Sequence, residues 1–303
     1  TAGTEATTII GDGESTGSQP HAAVHITDGS GPVRQVTVEG FTIRNPNGKY
    51  GIFAGTGTTN SNNDGIGGLL IRNNIVQDIS TKSTGDALTG GPAGIGIRGD
   101  YGTNGNPGIQ IINNDVSNVQ NSAGPEPVGI TLKSFTGDAG FGKDSSGDDV
   151  SDPASPPATD TTIANNEISD ISSGGGFATK GVSISGEFKN VDITGNTISA
   201  VDGGSGTSLG VTVSENSGNE YDIDDDGNGE RIGPQNVIIG DNTIEAIAGG
   251  DTRSVNFGGY EKLGPGTTIV DNTLAASISR INGNQPGFQF EDADGISINN
   301  NDI

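Results

Sequence analysis

The chain lacks several features on which ordinary globular proteins depend. It has no cysteine, so disulfide bonds do not support its fold, and its redox compartment stays undetermined. Only 29% of its 303 residues are hydrophobic and 4% are aromatic, whereas glycine occurs 53 times. With so few hydrophobic residues, the chain is poorly suited to form an apolar core of the usual globular shape. A repeat fold with a thin core along its axis fits it better.

Basic residues are also scarce. Lysine and arginine number 14 against 38 acidic residues, which gives a formal net charge of −24. Nucleic acid and anionic membrane surfaces would be repelled, which argues against both as partners. The acidic residues are spread from end to end, a pattern that resembles proteins of extremely halophilic organisms. An acidic, calcium-binding protein from ordinary salt is the competing interpretation.

Long apolar runs are missing as well. No segment approaches the length of about 20 residues that a membrane span needs, so we expect no membrane insertion. The first residues, TAGTEATTIIGDG, lack a charged segment followed by an apolar one. An exported form would therefore be a mature or trimmed chain, and we expect an extracellular or cell-surface location.

Two short patterns recur, and they alternate eight times along the chain. The first is Ile-x-x-Asn-x-Ile with its variants, as in ITGNTI. Its Asn positions are Asn74, Asn114, Asn166, Asn196, Asn242, Asn272 and Asn301, with Phe41 in the equivalent place of the first copy. The second pattern reads small-apolar-any-apolar. Its copies lie at 23–26, 51–54, 94–97, 129–132, 181–184, 210–213, 254–257 and 287–290.

Apolar residues at alternate positions predict strands with one buried face, and the neighbouring Gly and Asn predict turns. No segment has a helical period of useful length. The shortest interval between successive repeat Asn is 29 residues. These patterns predict a coil in which each short strand pairs in parallel with the same strand one turn further on. With rungs about 4.8 Å apart, eight coils would make a rod on the order of 40 Å long.

The recurring Asn has a structural explanation. At a turn, its amide can bond backbone groups that the bend leaves unpaired, and Asn tolerates left-handed backbone. Amides stacked from coil to coil can also bond one another in a ladder. At these residues the chain resembles the right-handed parallel β-helix superfamily, which includes pectate lyases, polygalacturonases and phage tailspikes. The resemblance covers nearly the whole chain.

This resemblance implies an all-β, right-handed, single-stranded parallel β-helix of about eight coils, with one domain over residues 1–303. If the repeats are scaffold, function should lie where the coils differ. From the last apolar residue of the second pattern to the next repeat Asn, coils four, five and six take 34, 12 and 29 residues. The insertions, at about 133–160 and 214–235, would form two walls over the tight loop of coil five.

The floor between these walls, SGEFKNV, would expose Glu187, Phe188 and Lys189. A cleft with an aromatic base and carboxylate walls would suit a carbohydrate or a protein segment as ligand. The alternative is that the insertions fold over the rod and Phe188 packs beneath them.

The second insertion contains DIDDDGNGE, in which Asp222, Asp224 and Asp226 alternate and Glu230 follows two glycines. Oxygen ligands at alternate positions, with Gly at a sharp turn, are typical of Ca²⁺ loops. The segment resembles the start of an EF-hand-type loop, although Gly233 stands where that loop has a bidentate Glu. A Ca²⁺ site and a solvated acidic loop both fit, and thermal melting with and without Ca²⁺ distinguishes them.

Catalysis has weaker support. The resemblance to pectate lyases implies an Arg or Lys base at an outward strand position. Arg98 and Lys133 follow the second pattern on neighbouring coils, and they are the candidates for a uronate-binding or proton-abstracting pair. The Gly-His-Gly and basic triplet of galacturonases are absent, and no cysteine nucleophile exists. His21 and His25 fit a surface role.

Two functions follow. The first is a non-catalytic extracellular rod adapted to high salt, as a surface, adhesin, spike or filament component. The missing catalytic motifs and the scarce aromatics favour it. The alternative is a polysaccharide lyase or hydrolase that acts on acidic carbohydrate. The final segment, GISINNNDI, stops within a coil. This predicts that the coil continues beyond 303 or stacks end to end on another subunit.

Overall fold

The computed structural model describes residues 7–11, 21–27, 33–55, 66–81, 91–99, 108–122, 124, 126–134, 158–186, 188–214, 234–245, 247–258, 267–274, 277–281 and 297–302. The regular structure in these ranges is all β-strand, and every paired strand runs parallel to its neighbour. Three sheets, named A, B and C here, contain nearly all of the strands. Among the described residues, no helix has the length and apolar character to cross a membrane.

The chain visits sheets A, B and C in turn, and each sheet holds the same element of successive coils. Sheet A consists of Thr7–Ile10, Phe41–Asn45, Ile75–Thr81, Asp115–Asn121, Glu167–Ser173, Thr197–Ile198, Val201–Asp202, Thr243–Ile244, Ile247–Ala248 and Thr273–Leu274. Sheet B consists of Ala22–Ile26, Tyr50–Ala54, Ala93–Gly99, Val128–Ser134, Thr179–Ser185, Thr207–Ser214, Asp251–Gly258 and Ser277–Ile281. Sheet C consists of Thr37–Glu39, Leu69–Arg72, Ile109–Ile112, Ala158–Ala164, Phe188–Thr194, Gln235–Gly240, Thr268–Val270 and Ser297–Asn299. Two further strands, Val33–Arg34 and Ile66–Gly67, pair with each other.

The predicted parallel β-helix is confirmed. One detail of the repeat count is wrong, because the eighth place in sheet B belongs to Ser277–Ile281 and not to residues 287–290. Only two residues separate Leu274 from Ser277, so the chain has already reached sheet B there. Residues 287–290 lie outside the described ranges.

Each Ile-x-x-Asn-x-Ile pattern spans two strands rather than one. Ile193 in sheet C and Ile198 in sheet A are both fully buried, although five positions separate them. An odd separation would place two side chains on opposite faces of a continuous strand, so a turn must lie between them. Gly195, with a φ of 64°, makes that turn. The repeat therefore encodes the corner between sheets C and A.

A left-handed residue precedes the repeat Asn at every copy of this corner. These residues are Gly40, Asn73, Asn113, Asn165, Gly195, Asp241, Asp271 and Asn300, with φ from 51° to 76°. Gly, Asn and Asp adopt such backbone at the lowest steric cost. The expectation of left-handed backbone at the repeat Asn itself is wrong, because its neighbour makes the bend. The repeat Asn is thus free to point its amide into the corner.

The repeat Asn side chains form the predicted ladder. The backbone N–H and the side-chain Nδ2 of Asn166 both donate to Oδ1 of Asn196, at 3.0 and 2.9 Å. Asn166 Nδ2 also donates to the Ile111 carbonyl on the preceding coil, at 2.9 Å. The same three bonds recur from Asn74 to Asn272. Every buried amide of the ladder therefore bonds both neighbouring coils.

The interior between the three sheets is a thin apolar column. Ile130 of sheet B, Ile163 of sheet C and Ile168 of sheet A are each 0% exposed, and equivalent positions in the other coils carry Ile, Val or Leu. Each such side chain contributes about 1.5–3 kcal/mol when it is fully buried. A few inward residues per coil therefore suffice, which explains the low hydrophobic content.

Glycine opens five of the seven described copies of the second pattern, and Ala23 and Ser254 open the other two, because there is little room for a side chain at this place in sheet B. A Cβ on Gly181 would lie 2.5 Å from Ile198 Cγ2 and 2.7 Å from the Gly210 carbonyl oxygen. Gly51, Gly94, Gly129 and Gly210 have the same surroundings in their own coils. The small residue predicted from the pattern is therefore required by the approach of sheet A and of the next coil.

The ladder predicts a large stability loss for Asn196→Ala. This change removes the acceptor of both Asn166 donors and leaves the Ile163 carbonyl without its donor, in a place without water. At about 1–3 kcal/mol for each unpaired buried group, the free energy of unfolding should fall by about 3 kcal/mol or more. Denaturant unfolding measures it. The exposed Asn113, replaced by Gly to keep its φ of 55°, is the control and should change little. Equal losses would contradict a structural ladder.

The glycine column predicts that Gly181→Ala destabilises the coil by about 1–3 kcal/mol, because the added methyl group overpacks against backbone and Ile198. Gly240→Ala is the matched control, since its Cβ would meet nothing closer than Val270 Cγ1 at 3.4 Å. That variant should be neutral or slightly stabilised. Thermal and denaturant unfolding of the two variants give the comparison. A neutral Gly181→Ala would contradict the close approach.

Candidate functional site

The outer face of sheet B is where chemistry-bearing side chains line up across coils. The unrestricted third position of the second pattern points outward, and its residues are in direct register from strand to strand. This column reads His25, Phe53, Gly96, Thr131, Ser183, Thr212 and Asn256. The face is therefore aromatic in its first coils and polar from coil four onward.

Thr131, Ser183 and Thr212, here called the hydroxyl column, lie on the three strands around the two long insertions. Ser183 is 8% and Thr212 is 4% exposed, although both point away from the core of the coil. Among the described residues, the Thr212 hydroxyl has no hydrogen-bond partner. A buried hydroxyl without a hydrogen-bond partner lowers the free energy of unfolding. Its contribution to stability therefore does not explain why Thr stands at position 212.

Cationic side chains flank the hydroxyl column. Lys133 lies two residues after Thr131 and is in register with Ser185 on the next coil. At the opposite edge, Lys180 Nζ lies 2.5 Å from Glu126 Oε2, and Arg253 forms an ion pair with Asp251. Arg253 Nη1 also donates to Asn256 Oδ1 at 3.2 Å. The edge that holds Lys180 and Arg253 is thus neutralised by carboxylates on the same face.

The first coils of this face carry an aromatic cluster. The Tyr50 and Phe53 ring centroids are 4.6 Å apart, and His25 lies 5.4 Å from Phe53. Tyr50 and Phe53 are 2% and 1% exposed, and they pack with Ala93 and Val128 in a second apolar cluster outside the coil. His25 is exposed, with Nε2 3.1 Å from the Gly55 carbonyl oxygen. Tyr50 and Phe53 therefore pack against their neighbours on the outer face of sheet B and offer no exposed aromatic surface to a ligand.

Arg98 and Lys133 are brought together as the sequence predicts. They are direct partners on neighbouring strands of sheet B, and Lys133 is half-buried. The side chain of Arg98 lies outside the described residues. The backbone register therefore supports two adjacent cationic positions, whereas the catalytic role stays a prediction.

The exposure expected of Phe188 is wrong. Phe188 is 1% exposed and packs in the main core cluster. Val191 and Ile193 point inward, so strict alternation of side chains would turn Phe188 outward. The left-handed backbone of Asn190 interrupts this alternation, and Phe188 therefore points toward the interior. Glu187 and the side chain of Lys189 lie outside the described residues. The predicted aromatic floor of a cleft therefore loses its aromatic residue.

The predicted calcium ligands Asp222, Asp224, Asp226 and Glu230 also lie outside the described residues, so Ca²⁺ binding stays a prediction. Within the described ranges, no group of three or more His, Asp or Glu side chains is placed to hold a metal ion.

Sequence reasoning missed the hydroxyl column. Its signal was present in the second pattern, whose third position changes from His, Phe and Gly to Thr, Ser, Thr and Asn along the chain. Hydroxyls donate and accept hydrogen bonds, and a lysine at their edge favours a negative group. The arrangement can therefore bind a ligand that has both hydroxyl groups and negative charge.

No protein-family model, curated protein or solved structure matches this chain. Its function must therefore be argued from its own residues.

The unpartnered hydroxyl predicts that Thr212→Val stabilises the ligand-free protein, because the change removes a buried polar group and keeps the shape of the side chain. The free energy of unfolding should rise by about 1 kcal/mol. Thr131→Val, at the half-buried position two coils earlier in the same column, should leave it nearly unchanged. Denaturant unfolding checks both. A loss of stability in Thr212→Val would show that the hydroxyl is satisfied in solution.

Proposed function

We propose that this chain is an extracellular, non-catalytic binding or structural rod adapted to high salt, and that it belongs to the pectate-lyase-like superfamily. Its ligand is an acidic carbohydrate that lies across the outer face of sheet B at coils four to six. The observation that carries this proposal is the hydroxyl column, whose half-buried Thr131 lies two residues from Lys133 on the same strand.

The chemistry of the face supports a hydroxylated anion. Sugar hydroxyls can exchange hydrogen bonds with the half-buried Thr131, whereas a uronate carboxylate can pair with Lys133. Hydrogen bonds to a charged group contribute about 1.5–3 kcal/mol each, which exceeds the contribution of a neutral pair. Lysine is therefore the residue whose loss should weaken binding most.

High salt removes the main objection, which is the net charge of −24. At 1 M salt the Debye length is about 3 Å, so distant carboxylates no longer repel an anionic ligand. Contacts within hydrogen-bond distance are screened much less. A polyanionic chain in concentrated salt can therefore bind an acidic polymer through a local cationic position.

A polysaccharide lyase is the second candidate, favoured by the adjacent positions of Arg98 and Lys133. The described part of the face supplies little else for catalysis, because its carboxylates Glu126 and Asp251 are each paired with a cation. Incubation with uronate polymers distinguishes the two functions. Detection of unsaturated products by their ultraviolet absorbance would show that the chain is a lyase and would contradict the non-catalytic function.

Binding should be measured by calorimetry with oligogalacturonate in high salt. Lys133→Ala should weaken affinity about tenfold, which corresponds to about 1.4 kcal/mol, because it removes the charge-assisted contact. Arg44→Ala removes one positive charge from sheet A, where Arg44 pairs with Asp78, and should leave affinity unchanged. Neutral oligosaccharides of the same length should bind more weakly.

Equal losses in Lys133→Ala and Arg44→Ala would mean that only total charge matters and would contradict a site on sheet B. Absence of binding to acidic and neutral oligosaccharides alike would contradict a carbohydrate ligand altogether. Circular dichroism of both variants confirms that the fold is retained in each comparison.

A further inference from the structure

The three outer faces of the rod differ in charge. The outer face of sheet C has two outward columns that run along the coils in direct register. The first column reads Leu70, Gln110, Thr162, Asp192, Ile238 and Thr268, and the second reads Arg72, Ile112, Ala164, Thr194, Gly240 and Val270. From coil three to coil seven, Asp192 is the single charged residue in these two columns. The exposed Asp160, in strand Ala158–Ala164 of the same sheet, accepts a hydrogen bond from Asn190 Nδ2. The two columns themselves are therefore nearly neutral on a chain with 38 acidic residues.

Sheet A is different, although its architecture is the same. Its outward positions include Asp115 and Glu167, which are direct neighbours on adjacent strands, and the exposed Glu245 and Asp202. Such a face repels a second copy of the same chain. Of the described outward columns of sheets A and C, those of sheet C combine low charge with an exposed apolar side chain, Ile238.

Apolar groups on sheet C are accessible. Ile238 is 40% exposed, and Ile112 and Val270 are half-buried at the level of the sheet. Between them stand Ala164, Thr194 and Gly240, whose short side chains keep the surface low and flat. Two flat sheet faces can pack about 10 Å apart with their side chains in contact.

In the first coils of this face, the charge of Arg72 is balanced by that of Glu39. Arg72 Nη2 lies 2.8 Å from Glu39 Oε2, and Asn73 Nδ2 donates to Glu39 Oε1 at 3.1 Å. These contacts, with the hydrogen bond from Arg72 first, hold the pKa of Glu39 below its ordinary value. The pair adds no net charge to the face at neutral pH.

We propose that the outer face of sheet C is an interface between two copies of this chain, packed face to face and antiparallel along the coil axis. Self-complementarity follows from the charge pattern, since a neutral face matches itself while the other surfaces of two polyanions repel. This inference does not depend on the proposed carbohydrate site, which lies on sheet B.

The position of Asp192 selects the antiparallel arrangement. Asp192 lies in the fifth strand of sheet C and Thr162 in the fourth. A two-fold axis along the strand direction brings each strand against its counterpart counted from the other end. Asp192 then faces Thr162 of the second copy, whose hydroxyl can donate to the carboxylate. A two-fold axis along the coil axis instead brings the two Asp192 carboxylates to the same level.

The size of the face predicts a weak dimer. Eight strands about 4.8 Å apart, each about four residues or about 13 Å long, give roughly 500 Å² per copy. The total of roughly 1,000 Å² lies below the range of stable interfaces, about 1,200–2,000 Å². Association should therefore depend on concentration. Salt should strengthen it, because salt screens the surrounding carboxylates and favours apolar contact.

Sedimentation velocity over micromolar to millimolar protein, in low and in high salt, tests the proposal. The wild-type chain should form dimers that increase with salt, whereas Thr194→Asp should remain monomeric. Ser169→Asp introduces the same charge at a half-buried outward position of sheet A and should dimerise like the wild type. A monomeric wild type at millimolar concentration in high salt would overturn the interface, as would equal loss in the two variants.

Cross-linking tests the orientation separately. The chain has no cysteine, so each introduced thiol is unique. Asp192 selects the orientation and is therefore kept. A mixture of Gln110→Cys and Ile238→Cys chains, in the third and sixth strands of sheet C, should be joined by a short bis-maleimide more efficiently than either chain alone. Preferential joining of Ile238→Cys chains to themselves would overturn the antiparallel arrangement, and efficient joining of Ser169→Cys chains would move the interface to sheet A.

Discussion

The buried amide ladder at the corner between sheets C and A is the constraint on which the rest of the structure depends. From Asn114 to Asn272, each ladder Asn accepts two hydrogen bonds from the preceding coil and donates to the following one, at 1–2% exposure. A shift of one residue would leave several of these groups unpaired in a dry interior. The ladder therefore fixes the register of every coil, and the thin apolar column fills the space that it defines.

A fixed register separates scaffold from variation. Inward positions and the C–A corner tolerate little change, whereas outward positions and the connections from sheet B to sheet C can vary without disturbing the core. The three outer faces of one rod can then take different characters. Sheet B carries hydroxyls and cations, sheet A carries carboxylates, and sheet C is nearly neutral. Carbohydrate binding on one face and self-association on another are thus compatible.

The sequence predicted the ladder, the parallel pairing and the glycine of the second pattern, because each recurs at a fixed place in the coil. It did not predict the three-sheet cross-section, since the division of Ile-x-x-Asn-x-Ile into two strands depends on the left-handed residue before the Asn. The prediction that Phe188 is exposed was wrong for the same reason, because the left-handed backbone of Asn190 turns the Phe188 side chain inward. The hydroxyl column was not predicted, because the sequence does not show that Thr212 is buried without a hydrogen-bond partner among the described residues.

Hydrogen exchange of the ladder amides, followed residue by residue by NMR, tests the central claim most directly. The backbone N–H groups of Asn114, Asn166 and Asn196 donate to side-chain oxygens rather than to a strand, and their Nδ2 groups are buried. Both sets should exchange as slowly as the sheet amides of the same coils, through cooperative opening alone. Fast exchange of these amides, with the sheet amides still protected, would show that the ladder does not hold the register.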